Sequence, residues 1–304
     1  MVEFEVLQWS DESIPELLEL TRTTLGMGGA VAKTEAYWRW KHIQNPFGRS
    51  YGVFAIDSEQ GNVASLRILL RWQFMGMDGK VVNAARAVDT ATHPVYQRMG
   101  LFSRLTQQAI EELKQEGSAF IYNTPNERSL PGYLKMGWEV VDKRQLYIKP
   151  LKPLRMLRRR LFSDGAVNFS PHEYFHGGDV VPWQAFVDQH RERIFSLAAE
   201  WEAVRVQAGI RTRRTEPYYR WRYGQNPNID YYVYSICAPS DTDLVAFAVL
   251  RFNTRYRWQE VVLCDMVLAE PDDKLAKLLM RGMVRSLRGD YVIAHFAPTS
   301  FERK

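Results

Sequence analysis

Residues 2–6 alternate apolar and polar, Val2-Glu3-Phe4-Glu5-Val6, the period of a strand with one buried face. A different rhythm begins at Thr34. This residue stands as an N-cap before Glu35-Ala36-Tyr37-Trp38-Arg39-Trp40-Lys41-His42, and Asn45-Pro46 stops the run, which predicts a short aromatic helix. Two β-type runs follow, from Tyr51 and from Val63, with Ser58-Glu59-Gln60-Gly61-Asn62 as the turn between them. A third β-type run spans residues 81–92. A helical pattern over 102–116, closed by Gly117, and a strand over 119–123 complete the series.

The series then returns. Thr34-Glu35-Ala36-Tyr37-Trp38-Arg39-Trp40 recurs as Thr215-Glu216-Pro217-Tyr218-Tyr219-Arg220-Trp221, an offset of 215 − 34 = 181, and Asn45-Pro46 recurs as Asn226-Pro227. The match continues without a gap through residues 51–56 against 232–237 and 63–70 against 244–251, with 239–243 as the second copy's turn. A β-type run at 260–269, a helix at 272–287 closed by Gly289 and a strand at 291–296 finish the second copy. Antiparallel strands followed by a strand–helix–strand unit predict a mixed α/β (α+β) fold in duplicate, each copy a mostly antiparallel sheet flanked by helices. The expected divisions are a first domain at 1–150, a basic linker helix within 151–168 and a second domain at 169–304. In the linker, Pro153 opens a helix with Leu154, Leu157 and Leu161 on one face and arginines on the other. A solvated connecting helix is the first reading of it, a membrane-surface or RNA contact the second.

Composition supports two ordinary cores. The chain has 304 residues, 46% hydrophobic and 25% charged, and no apolar run long enough to span a bilayer. The N-terminus lacks the basic-then-apolar layout of a signal peptide, so a cytoplasmic location is expected. Cys237 and Cys264 each lie in a β-type run and read as free strand thiols, not as a disulfide or zinc framework. A net charge of +5 suits anionic ligands, but over this length it does not indicate nucleic acid.

The charge-independent anion signal lies between the third strand and its helix, at His93-Pro94-Val95-Tyr96-Gln97-Arg98-Met99-Gly100-Leu101-Phe102-Ser103. A turn carrying Gly100 and opening into a helix presents unpaired N–H groups at the positive end of the helix dipole. After the next strand comes Asn126-Glu127-Arg128-Ser129-Leu130-Pro131-Gly132-Tyr133-Leu134-Lys135-Met136-Gly137-Trp138. Gln97-x-x-Gly100 at a helix start, followed by this Asn-x-x-small-x-x-x-Tyr-x-Lys-x-Gly-aromatic segment, resembles the GNAT superfamily of acetyl-CoA-dependent N-acetyltransferases in order and spacing. The resemblance covers the first half well and the second only through the repeat, so the chain is read as two GNAT-like domains in tandem.

That resemblance implies acetyl-CoA as donor substrate, an amine acceptor, either a small molecule or a peptide, attacking the thioester directly, and no metal. Backbone atoms of Ala91, Thr92 and His93 would bind pantetheine and polarise the thioester carbonyl. Gln97, Arg98, Met99 and Gly100 would surround the pyrophosphate together with Leu101, Phe102 and Ser103. Asn126 would touch the cofactor arm, and Tyr133 would be the general acid that protonates the departing thiolate. Phe102 departs from the family, which usually has Gly or Ala there. At the position where members often carry a Glu base this chain has Arg86, leaving Asp89 as a candidate base, His42 or His93 as water-mediated relays, or water alone.

The second copy lacks these signals. Aligning Pro271 with Pro94 places Asp272-Asp273-Lys274-Leu275-Ala276-Lys277 over residues 95–100, so Lys277 replaces the glycine and two aspartates would repel a pyrophosphate. It also shows no counterpart of residues 126–138. It is expected to be degenerate for CoA and, by the resemblance, to wall the acceptor cleft. Trp38, Trp40, Trp221 and Tyr223 read first as packing and second as acceptor-pocket walls. Two alternatives to acetyl transfer stay open: a longer acyl-CoA as donor, and a CoA-binding sensor or scaffold without turnover.

Overall fold

The N-terminal alternation becomes β1, Phe4–Gln8, paired antiparallel with β2, Tyr51–Asp57. The structure, a computed structural model, describes residues 2–25, 33–127, 129–143, 145–162, 169–176, 179–205, 209–238 and 243–296. Between those strands lie α1, Ile14–Leu25, and α2, Glu35–His42. Thr34 caps α2 as expected, its Oγ1 accepting the Tyr37 amide at 3.1 Å. Then follow β3, Val63–Met75, β4, Val81–Thr92, α3, Leu101–Gln115, β5, Phe120–Tyr122, and α4, Leu130–Lys135. The sheet order is β1-β2-β3-β4-β5, antiparallel until β5, which runs parallel to β4.

Each face of this sheet carries helices because its strands bury side chains on both sides. On one face Leu101, Leu105, Ala109 and Leu113, spaced four apart along α3, pack on Tyr51, Val53 and Leu69. On the other, Ile14, Leu17 and Leu18 of α1 and Trp38 of α2 pack on Phe54, Leu66 and Ile68.

Further along come β6, Gln145–Pro150, α5, Pro153–Phe162, β7, Val180–Pro182, α6, Trp183–His190, and α7, Glu192–Val204. The chain continues through β8, Arg211–Thr212, α8, Glu216–Tyr219, a π-helical turn at Arg220–Gly224, and β9, Tyr231–Cys237. It ends in β10, Leu244–Arg255, β11, Trp258–Leu268, α9, Asp273–Ser286, and β12, Tyr291–Phe296. The second sheet has the order β6-β12-β11-β10-β9-β7, and its β11–β12 pair is again parallel. Both sheets therefore follow one plan, which makes this an α/β protein of two like halves.

The repeat holds to the register. Tyr51 faces Leu69 and Ala55 faces Ser65 in the first sheet; at +181, Tyr232 faces Leu250 and Ile236 faces Ala246 in the second. Both pairs of strands slip by one residue at the equivalent next step, before Ile56↔Val63 and Cys237↔Leu244. Trp38, Trp40, Trp221 and Tyr223 are all buried. Both cysteines are free. The turn expected at 239–243 falls largely on residues outside those described.

Two local expectations need correction. The chain divides into compact units at Val141/Asp142, with residues 210–213 and 225–228 joining the first, and β6 adds to the second sheet beside β12. The division expected at 150 thus differs by one strand. In addition, α9 ends through Leu287 in extended backbone, not through Gly289. That glycine serves a close approach, since a Cβ there would lie 2.7 Å from Val261 Cγ2.

Helix α5 is amphipathic, but its polar side is the inward one. Arg155 Nε and Arg159 Nη1 donate to the buried Asp290 at 2.6 and 2.5 Å, while Leu154, Leu157 and Leu161 are 82%, 53% and 63% exposed. The arginines are tethers for Asp290, which also accepts the Gln259 amide at 2.8 Å. Among the described residues, no helix is long and apolar enough to cross a membrane.

Candidate functional site

The first sheet loses its regularity at the end of β4. Leu66 faces Ala91 but Ile68 faces Val88, so β4 carries one residue more than β3 across this step, a β-bulge. Asp89 sits in the bulge with φ +36°. On the opposite edge, parallel pairing with β5 ends at Arg86↔Tyr122, although β4 runs on to Thr92. The two strands part there, and β4 backbone groups beyond Arg86 have no β5 partner.

Past the bulge, Pro94–Tyr96 forms a 3-10 turn and the chain twice enters the left-handed region, at Arg98 (φ +66°) and Gly100 (φ +79°). Such turns point successive amides inward. Gly100 is the N-cap of α3, and Arg104 N closes the first helical bond onto its carbonyl at 3.0 Å, so the amides of Leu101, Phe102 and Ser103 precede the helix ladder. A Cβ at Gly100 would meet nothing within 4 Å. The cradle is open and edged by the helix's positive end, which is what a pyrophosphate requires.

The second unit fills the same position with its own carboxylate. Asp272 caps α9, accepting the amides of Lys274 and Leu275 at 3.0 and 3.1 Å. Those amides are no longer free for a ligand.

Tyr133 lies on α4 with its hydroxyl buried, and its ring stands edge-on to Phe102, centroids 5.3 Å apart, and tilted on Trp138 at 4.7 Å. Its hydroxyl accepts from Arg67 Nη1 at 2.7 Å. The same Nη1 donates to Thr90 Oγ1 in the bulge. Arg67, in the middle of β3, is 1% exposed, and its guanidinium also lies over the Phe102 ring at 5.7 Å. Burial pulls its pKa below the ordinary arginine value, with Tyr133 opposing. Its one signal in the sequence is a lone charge inside the apolar run Val63-Ala64-Ser65-Leu66-Arg67-Ile68-Leu69-Leu70, which is not among the motif residues above.

Asp89 points the other way, to the α2 side of the sheet. Its Oδ2 accepts from Lys41 Nζ at 2.5 Å and from His42 Nε2 at 3.0 Å, and His42 Nδ1 accepts the Ser50 hydroxyl at 3.0 Å. Burial holds His42 neutral, with its pKa below 6.5. Against its own burial, the Lys41 ammonium and the His42 hydrogen bond hold Asp89 well below the usual carboxylate range. A carboxylate so held has little affinity for a proton. The second unit repeats the link: Tyr223, which is His42 + 181, donates to Asp265 on β11 at 3.0 Å, beside Arg214 at 2.5 Å.

The family comparison now falls on this geometry. The model for the acetyltransferase (GNAT) domain matches residues 6–141. Residues 6–141 form a GNAT domain. No curated protein sequence matches the chain. Among solved structures, a probable N-acyltransferase of Enterococcus faecalis V583 is similar at 14% identity and TM-score 0.66, over 99% of this chain and 67% of that one. Saccharomyces cerevisiae N-myristoyltransferase with bound myristoyl-CoA is similar at 12% identity and TM-score 0.60, over 97% and 73%. A GCN5-related N-acetyltransferase of Kribbella flavida is similar at 13% and 0.60, over 98% and 65%. At such identities these likenesses concern the fold, and they extend it across both halves.

Within the GNAT domain, Ala91, Thr92 and His93 lie on or just past the parted end of β4, and residues 97–103 form the cradle next to it. Asn126 shapes the entry to α4, its Oδ1 accepting the Ser129 amide at 3.0 Å. Phe102 explains its own departure from the family. It fills the space over Gly132, where a Cβ would come within 3.0 Å of the ring, and so packs against Tyr133 without entering the cradle. A cleft of ≈ 550 Å³ opens on the α1 side beside His93, lined by Glu16, Glu19, Gln60 and Tyr96.

Proposed function

We propose that this protein transfers an acyl group, acetyl being the smallest candidate, from acyl-CoA to an amine. The observation that carries the reading is the conjunction of the parted β4–β5 edge, the Gly100 cradle and Tyr133 in one GNAT domain. When bound, the donor would supply a thioester carbonyl open to attack by the amine.

The chain's own residues divide the remaining work. Amides of residues 98–103 hold the pyrophosphate against the α3 dipole. Backbone groups of Ala91, Thr92 and His93 pair the pantetheine arm where β5 has left β4, and an amide there polarises the carbonyl. Asn126 orders the entry to α4. Tyr133 delivers its hydroxyl proton to the departing thiolate, and Arg67 beside it keeps the hydroxyl aimed. Asp89 acts in this scheme as the counter-ion that orients Lys41 and His42, and the incoming amine loses its proton to water. The second half contributes structure, its helix end being closed by Asp272.

A sensor that binds CoA without turnover remains the second reading, supported by the same cradle. Thiol release from acetyl-CoA across an amine panel separates the two. Turnover that falls sharply in Tyr133→Phe supports the enzyme, whereas binding without turnover by any amine supports the sensor.

A further inference from the structure

Arg67 is a buried cation. Among the described residues no carboxylate pairs with it, and its two hydrogen-bond partners, Tyr133 and Thr90, are neutral and engage Nη1 alone. Nε and Nη2 are buried without a partner. Those two atoms form the side-on edge of the guanidinium, with parallel N–H bonds spaced for the two oxygens of one carboxylate.

The repeat supplies an internal control. At +181 the residue matching Arg67 is Ala248, on a strand of the same register. A sheet of this plan thus needs no arginine there. The arginine accompanies the half that has the open Gly100 cradle and is missing from the half whose helix is capped by Asp272.

We propose that Arg67 binds a carboxylate carried by a substrate, either on the transferred acyl group or on the amine acceptor, and seats it beside the Tyr133 hydroxyl. The proposal rests on the acyl-transfer reading and names a substrate class for that site.

Calorimetry on the full chain tests it without requiring turnover. Free CoA is titrated first. Succinyl-CoA and malonyl-CoA are then compared with acetyl-CoA, and, on protein saturated with CoA, leucine is compared with isoamylamine and phenylalanine with phenethylamine. One comparison is expected to favour the carboxylate by about ten-fold or more in Kd, which identifies the substrate that carries it. Arg67→Met should erase that preference, and Arg67→Lys, which keeps the charge but not the fork, should retain only part of it. Arg67→Met should also raise Tm by roughly a few degrees, because an apolar side chain of similar reach replaces an unpaired buried charge. A purely structural arginine would instead give a lower Tm and an unchanged preference. The proposal is overturned if CoA binds and neither comparison favours the carboxylate, or if the preference survives Arg67→Met. Failure of CoA itself to bind removes the acyl-transfer reading, and this inference with it.

Discussion

Tyr133 and His42 make opposite uses of burial. Tyr133 holds its hydroxyl beside a cation at the parted strands, so Tyr133→Phe should lower kcat by about 10²–10⁴ while leaving CoA affinity nearly unchanged. Steady-state thiol release and calorimetry read the two parts, and a variant with normal kcat would remove the general-acid role. His42 is neutral because it is buried, so as the pH falls the unfolded chain takes up the proton first. Its contribution to stability is whole above about pH 6.5 and is lost below it, down to the folded-state value. Denaturant midpoints between pH 8 and 5 should fall across that window, and His42→Gln should flatten the fall; burial of His190 leaves a residual slope of the same sign. An identical slope in His42→Gln would contradict the assignment. Tyr133 was a candidate from the spacing Asn126…Tyr133…Gly137. Arg67 could not be, because its partners Thr90 and Tyr133 lie 23 and 66 residues away.

Helices α3 and α9 are the same element with opposite N-termini, and two substitutions expose the difference. Gly100→Ala forces a left-handed backbone on a residue with a Cβ and should cost about 1–2 kcal/mol. Asp272→Ala removes a cap that serves two amides and should cost about 1 kcal/mol, without creating a CoA site, because Lys277 remains. Chemical denaturation measures both. Leu105→Ala, under α3 at the centre of one face of the first sheet, should cost about 2–5 kcal/mol. These elements were legible because their caps, stripes and stops are local. Residues 145–150 were not assignable from the sequence to the second sheet, since their partner, β12, lies far along the chain. The face of α5 that turns inward was equally hidden. Its periodicity gave a solvated connecting helix without saying which face turns inward, and a single buried carboxylate at Asp290 holds the helix by its arginines.

Across the whole chain the duplication is complete in framework and incomplete in chemistry. Strand register and the one-residue slip recur at +181, as does the residue that reaches from the helix to a strand aspartate, His42 or Tyr223, while the open cradle and Arg67 of the first half are matched by Asp272 and Ala248 in the second. The repeat was plain in the sequence because aromatic helices and Asn-Pro stops survive divergence. The asymmetry was plain too, at Gly100 against Lys277. Coenzyme A stoichiometry is therefore the most direct test of the account. Isothermal titration of the full chain should give one CoA per chain, with binding abolished in Gly100→Glu and preserved in Lys277→Glu. Two sites per chain, no binding at all, or binding indifferent to Gly100→Glu would contradict it.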